Sequence, residues 1–262
     1  MSKNLLEIKN LKVNFYNDDS IPPVINGLSL EIKEQEIVAL VGGSGSGKTI
    51  TGLSILRLLP FNAKIIEGEI IFEGQDLLRL SEDKLRQIRG RKISYIFQEP
   101  LSALNPVFTI GFQIREVLRL NTNLSKREIE KEVQYLLKDV EMPRAQEAVS
   151  YYPHQLSAGM RQRAIIAQAI ASKPKLLIAD EATSNLDVTI QAKIMDLFLN
   201  IKRKLSLSIL LITHDFGLVE AFADKVAIIY QGKILEFGRT KDILNNPNHS
   251  YTKELLEAVK LS

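Results

Sequence analysis

The residues best suited to chemistry form a glycine-rich run, Gly42-Gly-Ser-Gly-Ser-Gly-Lys-Thr49, directly after the apolar stretch Ile37–Val41. The run fits the pattern G-x-x-x-x-G-K-[ST], although an ordinary glycine-rich turn is the alternative. Its glycines let backbone N–H groups turn toward phosphate oxygens, and a following helix presents its positive N-terminus. Lys48 then reaches the outer phosphates and Thr49 ligates Mg²⁺. The other predicted phosphate-contacting positions are Gly42, Ser44, Gly45, Ser46 and Gly47.

A second apolar run ends in two adjacent carboxylates. Leu176–Ala179 is followed directly by Asp180 and Glu181. Beside a phosphate-binding loop, Asp180 suits a Mg²⁺ partner, and Glu181 suits a base that polarises the attacking water. Without the loop, acids that simply solvate the end of a strand explain the pair equally well.

A third motif, Leu156-Ser-Ala-Gly-Met-Arg-Gln162, opens a predicted helix. Ser157 is a natural N-cap, and this structural role alone could account for it. In the alternative interpretation, the Ser157 hydroxyl and the Gly159-spaced helix start form a second anion site. Two phosphate-binding elements in one chain suggest that they act on different nucleotides.

Two single polar residues each follow a strand-like run. Gln98 comes after Ile93–Phe97, and His214 comes after Ile209–Thr213. The carboxyl ends of parallel strands present ligand contacts in doubly wound sheets. A structural hydrogen-bonding role for either side chain is the alternative. The 3 His of the chain have no paired spacing, so a His-rich metal site is not expected.

The elements that must position these residues follow from hydrophobic patterning. Residues 5–15 and 24–33 read as half-buried strands, and 64–80 as a further β-rich segment. Residues 112–150 are helical and rich in charge. Buried-strand runs then return at 176–179, 209–212 and 226–229, alternating with helical stretches. This order predicts an α/β fold with a parallel sheet, divided by a helical insertion.

Composition excludes several classes of protein. The 262 residues include 45% apolar and 25% charged residues with a net charge of +3, which describes a globular chain and disfavours nucleic-acid binding. Zero cysteines exclude disulfides, thiol catalysis, iron–sulfur clusters and zinc fingers. The first fifteen residues interleave charges with apolar residues, so a secretory signal is not expected. No apolar run approaches the roughly 20 residues of a spanning helix. Any work at a membrane is therefore expected to go through a partner.

Taken together in this order, the motifs resemble the nucleotide-binding subunit of ATP-binding-cassette (ABC) transporters. The resemblance rests on the glycine-rich loop, Gln98, Leu156–Met160, Asp180-Glu181, Ser184–Asp187 and His214. It implies a P-loop NTPase fold with a mainly parallel core sheet and an N-terminal antiparallel β subdomain. It also implies a single ATP-binding domain over residues 1–262, with a helical subdomain inserted at about 99–168.

The same resemblance implies a head-to-tail dimer that sandwiches two ATP molecules with Mg²⁺. Each site takes the loop and four side chains from one chain, namely Gln98, Asp180, Glu181 and His214. Lys48, Gln98, Glu181 and His214 are the implied catalytic residues, and Thr49, Gln98 and Asp180 the implied metal ligands.

Three further roles are implied by the resemblance. The partner chain supplies Ser157 and Gly159, and Asp187 couples the two sites across the interface. Phe15 lies where the family stacks an aromatic ring on adenine, with Tyr16 as the alternative and a core role for Phe15 also open. A groove near Gln98 would receive a coupling helix of a membrane permease.

Four stretches, Phe97–Pro106, Gly159–Arg163, Asp187–Gln191 and Asn246–Thr252, are similar to oligopeptide, dipeptide and nickel importers. The similarity implies an ATPase that powers a peptide importer from the cytoplasmic face of the cell membrane. Its partners would be a second ATPase subunit, two permeases and, indirectly, an extracellular binding protein. A nickel or metal-chelate importer, an exporter, a soluble ABC protein of translation or DNA repair, and a binding-only regulatory cassette are the alternatives.

The sequence departs from the family pattern at several positions. Ala158 stands where Gly is usual, and a positive φ there would cost about 1–2 kcal/mol. Ala182 replaces a usual Pro, and Asn185 a usual Ala. The chain ends at Ser262 without a cysteine, so the iron–sulfur cluster of some relatives is not expected here.

Overall fold

The computed structural model describes residues 4–15, 22–98, 103–184 and 186–260. The chain divides into two compact units. The first unit comprises Met1–Leu85 and Ser208–Ser262, and the second comprises Arg86–Leu207. The helical subdomain expected at about 99–168 falls within the numbering of the second unit. Its boundaries, and the assignment of residues 1–262 to a single ATP-binding domain, stay predictions.

The described elements are numbered in chain order. The strands are β1 (Asn4–Phe15), β2 (Ile25–Lys33), β3 (Ile37–Val41), β4 (Ala63–Phe72), β5 (Gln75–Asp76), β6 (Ile93–Ile96), β7 (Leu176–Asp180), β8 (Ser208–Thr213), β9 (Lys225–Tyr230) and β10 (Lys233–Arg239). The helices are α1 (Lys48–Ile55), α2 (Glu82–Arg86), α3 (Ile110–Asn121), α4 (Lys126–Asp139), α5 (Ala145–Ala148), α6 (Ala158–Ile170), α7 (Val188–Leu205), α8 (Phe216–Phe222), α9 (Thr240–Asn245) and α10 (Ser250–Lys260). Short 3-10 helices span Leu77–Arg79 and Pro153–Gln155.

An antiparallel sheet of the first unit has the order β2-β1-β4-β5. Alternate residues of β2 turn inward, since Leu28, Leu30 and Ile32 are buried. The predicted strands at 5–15 and 24–33 are thus confirmed. The β-rich prediction for 64–80 holds only to residue 76, because the Asp76 carboxylate accepts from Leu78 N–H at 3.0 Å and starts a 3-10 turn.

The parallel strands of the first unit are β3, β8 and β9. Both β8 and β9 pair with β3 in parallel, and β10 adds to β9 in antiparallel register. All five residues of β3 and all six of β8 are buried, as expected for strands covered on both faces. Together with the antiparallel sheet, this arrangement confirms the predicted α/β fold class.

An apolar cluster lies around β3 and β9. Its buried members are Ala39, Val41, Phe216, Val219, Val226, Ile228 and Ile243. From α10, the side chains of Tyr251, Leu255 and Leu256 pack against this cluster. The strand that leads into the glycine-rich loop is therefore packed against the C-terminal helix.

In the second unit, β6 and β7 pair in parallel, with Ile96 opposite Ala179. The predicted amphipathic helix at 126–137 is observed as α4. Its capping box joins Ser125 and Glu128. The apolar residues predicted to share one face are all buried: Ile129, Val133, Leu136 and Leu137. Within the ranges that the structure describes, no helix combines the length and apolar character needed to cross a membrane.

Candidate functional site

The glycine-rich loop follows β3 and is shaped by close backbone approaches. A Cβ atom at Gly42 would clash with the Ile229 carbonyl oxygen. Gly47 has φ +106°, and a Cβ there would lie 2.5 Å from Ile25 Cδ1. The Gly232 N–H donates to Ser46 O at 3.0 Å, which joins the loop to the β9–β10 turn. Gly42 and Gly47 need to be glycine because a side chain at Gly42 lacks space and one at Gly47 lacks both space and an allowed backbone angle.

The polar groups of the loop fit a bound phosphate. Lys48 is 8% exposed, and its Nζ donates to Gly42 O and Gly43 O, each at 2.9 Å. The Ser46 hydroxyl is buried without a hydrogen-bond partner among the described residues. At the start of α1, Gly47 provides no side-chain cap, and the N-terminus of a helix favours an anion. Ser44, Gly45 and Thr49 are exposed at the same loop.

His214 lies at the same edge of the sheet as the loop. In the parallel pair of β3 and β8, Val41 is opposite Thr213. Gly42 and His214 therefore each directly follow the last paired residue of their strand. The His214 side chain is exposed, while Asp215 caps α8 through Gly217 N–H at 2.8 Å. This edge is where parallel strands present ligand contacts.

Phe15 lies at the end of β1, opposite Ala63 of β4, and is half-buried. Its N–H donates to Asn14 Oδ1 at 2.9 Å. Two residues earlier, Val13 is paired with Ile25, the residue that packs against Gly47. The end of β1 is therefore near the glycine-rich loop. Tyr16, the alternative aromatic residue, lies outside the described residues.

In the second unit, the structure brings Gln98 and Glu181 together. They follow the paired ends of β6 and β7, and Gln98 Nε2 donates to Glu181 Oε2 at 3.0 Å. Glu181 has φ +46°, a left-handed conformation that is uncommon for a residue with a side chain. Such backbone strain is found preferentially at functional sites.

Asp180 is buried, at 1% exposure, and accepts a hydrogen bond from Tyr95. Tyr95 Oη lies 2.7 Å from Asp180 Oδ2, and the ring centroids of Tyr95 and Phe97 are 4.5 Å apart. Burial raises the pKa of Tyr95 far above its usual value, and the Asp180 charge and hydrogen bond raise it further. Tyr95 is therefore a constant donor to the carboxylate. Tyr95 was not among the predicted site residues, although a polar ring inside the apolar run 93–97 is a visible signal.

The Ser157 hydroxyl performs the structural role weighed from the sequence. It caps α6 by accepting from Met160 N–H at 3.3 Å. Gly159 is buried, and a Cβ there would lie 3.1 Å from Ile190 Cγ2, so it also has a packing role. Ala158 is the first residue of α6 and has a helical backbone, so the strain of a positive φ does not arise.

Asp187 is the N-cap of α7. Its Oδ1 accepts from Ile190 N–H at 2.9 Å, and its side chain is exposed. Just before it, Ser184 Oγ donates to the Glu181 carbonyl oxygen at 3.0 Å, which closes the turn after β7. Ala182 is buried in this turn. Asn185 lies outside the described residues.

The buried strand, the glycine loop and the helix start together define an α/β protein that binds nucleotide phosphates. Residues 25–184 match the family model described as ABC transporter. The chain belongs to this family and is one of its ATP-binding ATPases.

Curated relatives extend the similarity to nearly the whole chain. The dipeptide transport ATP-binding protein DppD of Bacillus subtilis is 46% identical over 98% of this chain and 77% of the relative. The oligopeptide transport ATP-binding protein AppD of the same organism is 46% identical over 97% of this chain and 78% of its own length.

Solved structures agree with the fold. A dimeric ATP-binding cassette, MJ0796, in a post-hydrolysis state with ADP and Pi, has a TM-score of 0.78 and 28% identity. The match covers 90% of this chain and 98% of the cassette. CbiO1 of Clostridium perfringens, part of the ABC transporter complex cbiONQ, has a TM-score of 0.78 and 26% identity over 98% of this chain and 95% of its own.

Proposed function

We propose that this chain is an ATP-hydrolysing subunit that powers the import of dipeptides or oligopeptides. It acts at the cytoplasmic face of the cell membrane, where it binds a second ATPase subunit and two permeases that receive substrate from an extracellular binding protein. The observation that carries this proposal is the 46% identity to a dipeptide transport ATP-binding protein over 98% of the chain.

In the first unit, the loop binds the phosphates of ATP through the N–H groups that its glycines expose. Lys48 stabilises the γ-phosphate, and its two bonds to loop carbonyls hold its side chain in place. His214, at the same sheet edge, holds the γ-phosphate and the attacking water in register. Phe15 stacks on adenine at the end of β1.

In the second unit, Glu181 is the base that polarises water, because it directly follows a buried strand and is held by the Gln98 amide. Asp180 and Gln98 are the metal-binding side chains of this unit, and Thr49 is that of the first. Their oxygen atoms are the donors that Mg²⁺ prefers. Bound Mg²⁺ would neutralise charge on the phosphates of ATP.

Ser157 and Gly159 act on ATP held by the partner subunit. The start of α6 offers a hydroxyl and helix N–H groups, which favour an anion. Asp187, as the cap of α7, couples this turn to the partner's site. Closure of the dimer around ATP moves the permeases, and hydrolysis reopens the dimer. The groove near Gln98 receives the coupling helix of a permease.

The test is a tagged pull-down from detergent-solubilised native membranes, with the co-purifying chains identified by mass spectrometry. Two multi-span permeases and an ATPase partner, with a peptide-binding protein encoded beside them, are the expected result. A soluble or ribosomal set of partners without permeases would overturn the transport proposal and leave the ATPase chemistry standing. Permeases associated with a nickel-binding protein would overturn the peptide assignment alone.

A further inference from the structure

The segment Asn246–Thr252 was notable in the sequence, yet the proposed function gives it no role. The structure anchors it firmly. Glu236 of β10 is 9% exposed, and its Oε1 accepts from Asn248 N–H at 2.8 Å. Next along the chain, His249 Nδ1 accepts from Tyr251 N–H at 3.1 Å. These bonds fix the point at which α10 begins, and with it the place of Tyr251.

Tyr251 is also fixed by packing. Its ring centroid lies 4.2 Å from that of Tyr230, which ends β9. The same ring, together with Leu255 and Leu256, packs against the cluster that contains Val41, the last residue of β3. Because an aromatic ring held on two sides has little rotational freedom, the position of the Tyr251 hydroxyl is well defined.

The Tyr251 hydroxyl contacts the glycine-rich loop. Gly43 N–H donates to Tyr251 Oη at 3.1 Å. The carbonyl of the same peptide unit, Gly42 O, accepts from Lys48 Nζ at 2.9 Å. A peptide unit is planar, so fixing its N–H also fixes the direction of its carbonyl. One peptide therefore joins the C-terminal helix to the lysine of the loop.

We propose that Tyr251 is a positioning residue for nucleotide binding, which it serves by holding the Gly42–Gly43 peptide that orients Lys48. The inference rests on the proposed role of the loop as the phosphate site. It gives the Asn246–Thr252 segment a function: α10 is tied to the loop, so displacement of α10 weakens the affinity for a nucleoside triphosphate.

The test compares the wild-type chain with Tyr251→Phe, which keeps the ring and removes only the hydroxyl. Titration calorimetry with a non-hydrolysable ATP analogue and Mg²⁺ measures Kd, and amide hydrogen exchange by NMR measures the protection of Gly43. We expect Kd to rise about threefold to tenfold, the effect of one lost hydrogen bond, and Gly43 to exchange faster. The thermal midpoint should stay close to that of the wild type.

Tyr135→Phe is the matched control, because Tyr135 is 58% exposed on α4 of the second unit. It should change neither measurement. The variant Lys48→Ala distinguishes a failure of the Tyr251 role from a failure of the loop as the phosphate site. If Lys48→Ala loses the analogue while Tyr251→Phe binds it like the wild type, the role of Tyr251 is overturned and the loop assignment stands. If both variants bind like the wild type, the loop is not the phosphate site and the proposed function fails with the inference.

Discussion

The glycine-rich loop of the first unit is constrained mainly by close approaches to its glycines, whereas the acidic residues of the second unit are held by hydrogen bonds from other side chains. At Gly42 and Gly47 the constraint is missing space beside Ile229 O and Ile25. At Asp180 and Glu181 it is a pair of hydrogen bonds from Tyr95 and Gln98. Few residue types fit where neighbouring atoms leave no space for a side chain, whereas a residue held by a hydrogen bond can be replaced without a steric clash. The two regions should therefore respond differently to mutation.

Glu181→Gln should give the largest effect. The amide keeps the shape of the carboxylate and can still contact Gln98, but it cannot act as a base. We expect ATP hydrolysis to fall by about 10²–10⁴-fold, with nucleotide binding retained. A phosphate-release assay measures the loss of hydrolysis, and an equilibrium binding measurement checks that nucleotide binding is retained. Glu220→Gln, at an exposed position on α8, is the control. Undiminished turnover by Glu181→Gln would remove Glu181 from the role of base.

Gly47→Ala tests the close approaches at the glycine-rich loop. The new methyl meets Ile25 Cδ1 at 2.5 Å and requires φ +106°. We expect nucleotide affinity to fall at least tenfold and stability to fall by more than about 1–2 kcal/mol, the cost of the backbone angle alone. Gly74→Ala separates the cost of the backbone angle from the cost of the steric contact. Gly74 has φ +80°, and a Cβ there would have no described atom within 4 Å. Equal destabilisation of the two variants in urea would contradict the role of close packing.

Tyr95→Phe tests the side-chain arrangement of the second unit. Removing the phenol hydroxyl takes a hydrogen bond from the buried Asp180 carboxylate. Bonds to charged groups contribute about 1.5–3 kcal/mol, so we expect a loss of that order in the free energy of unfolding. Denaturant titration measures the change, with Tyr135→Phe as the control. Unchanged stability would mean that Asp180 is held without Tyr95.

The smallest predicted effect is a dependence on pH at Glu236. Burial raises the pKa of this carboxyl, but the Thr252 hydroxyl, the N–H groups of Asn248 and His249, and the His249 charge outweigh burial and lower it overall. The ionised group therefore stabilises the folded chain above its ordinary pKa, and this contribution is lost as pH falls through the lowered value.

We expect the wild type to have a higher thermal midpoint than Glu236→Gln near neutral pH, by a few degrees at most, and the gap to close in acid. Scanning calorimetry at several pH values measures this. Glu254→Gln, at an exposed position on α10, should track the wild type throughout. A difference in thermal midpoint that widened as the pH fell would contradict a stabilising role of the ionised Glu236 carboxylate.

Much of the fold could be predicted from sequence because its signals are local. Continuous apolar runs marked β3, β7 and β8, and helical spacing marked α4. The glycine-rich loop could be predicted because the spacing of its glycines directly indicates the geometry of the backbone. The conditional cost at Ala158 does not arise, because Ala158 begins α6 with a helical backbone and Ser157 caps that helix.

Other features could not be read locally. Tyr95 and Asp180 are 85 residues apart, and Gly43 and Tyr251 are 208 apart, so both bonds exist only once the chain is folded. The C-terminal strand β10 and helix α10 have short patterns that sequence analysis left without an element. The chemical roles of the individual site residues stay predictions until variants are measured.

We propose that ATP hydrolysis by this chain is coupled to peptide import. The most direct measurement is ATP hydrolysis by the chain assembled with its ATPase partner and permeases in proteoliposomes, with and without the binding protein loaded with peptide. We expect loaded binding protein to stimulate hydrolysis, and an assembly that carries Glu181→Gln to show no such stimulation. Hydrolysis that is unchanged by peptide, or that is stimulated instead by a nickel-loaded binding protein, would contradict this coupling to peptide import.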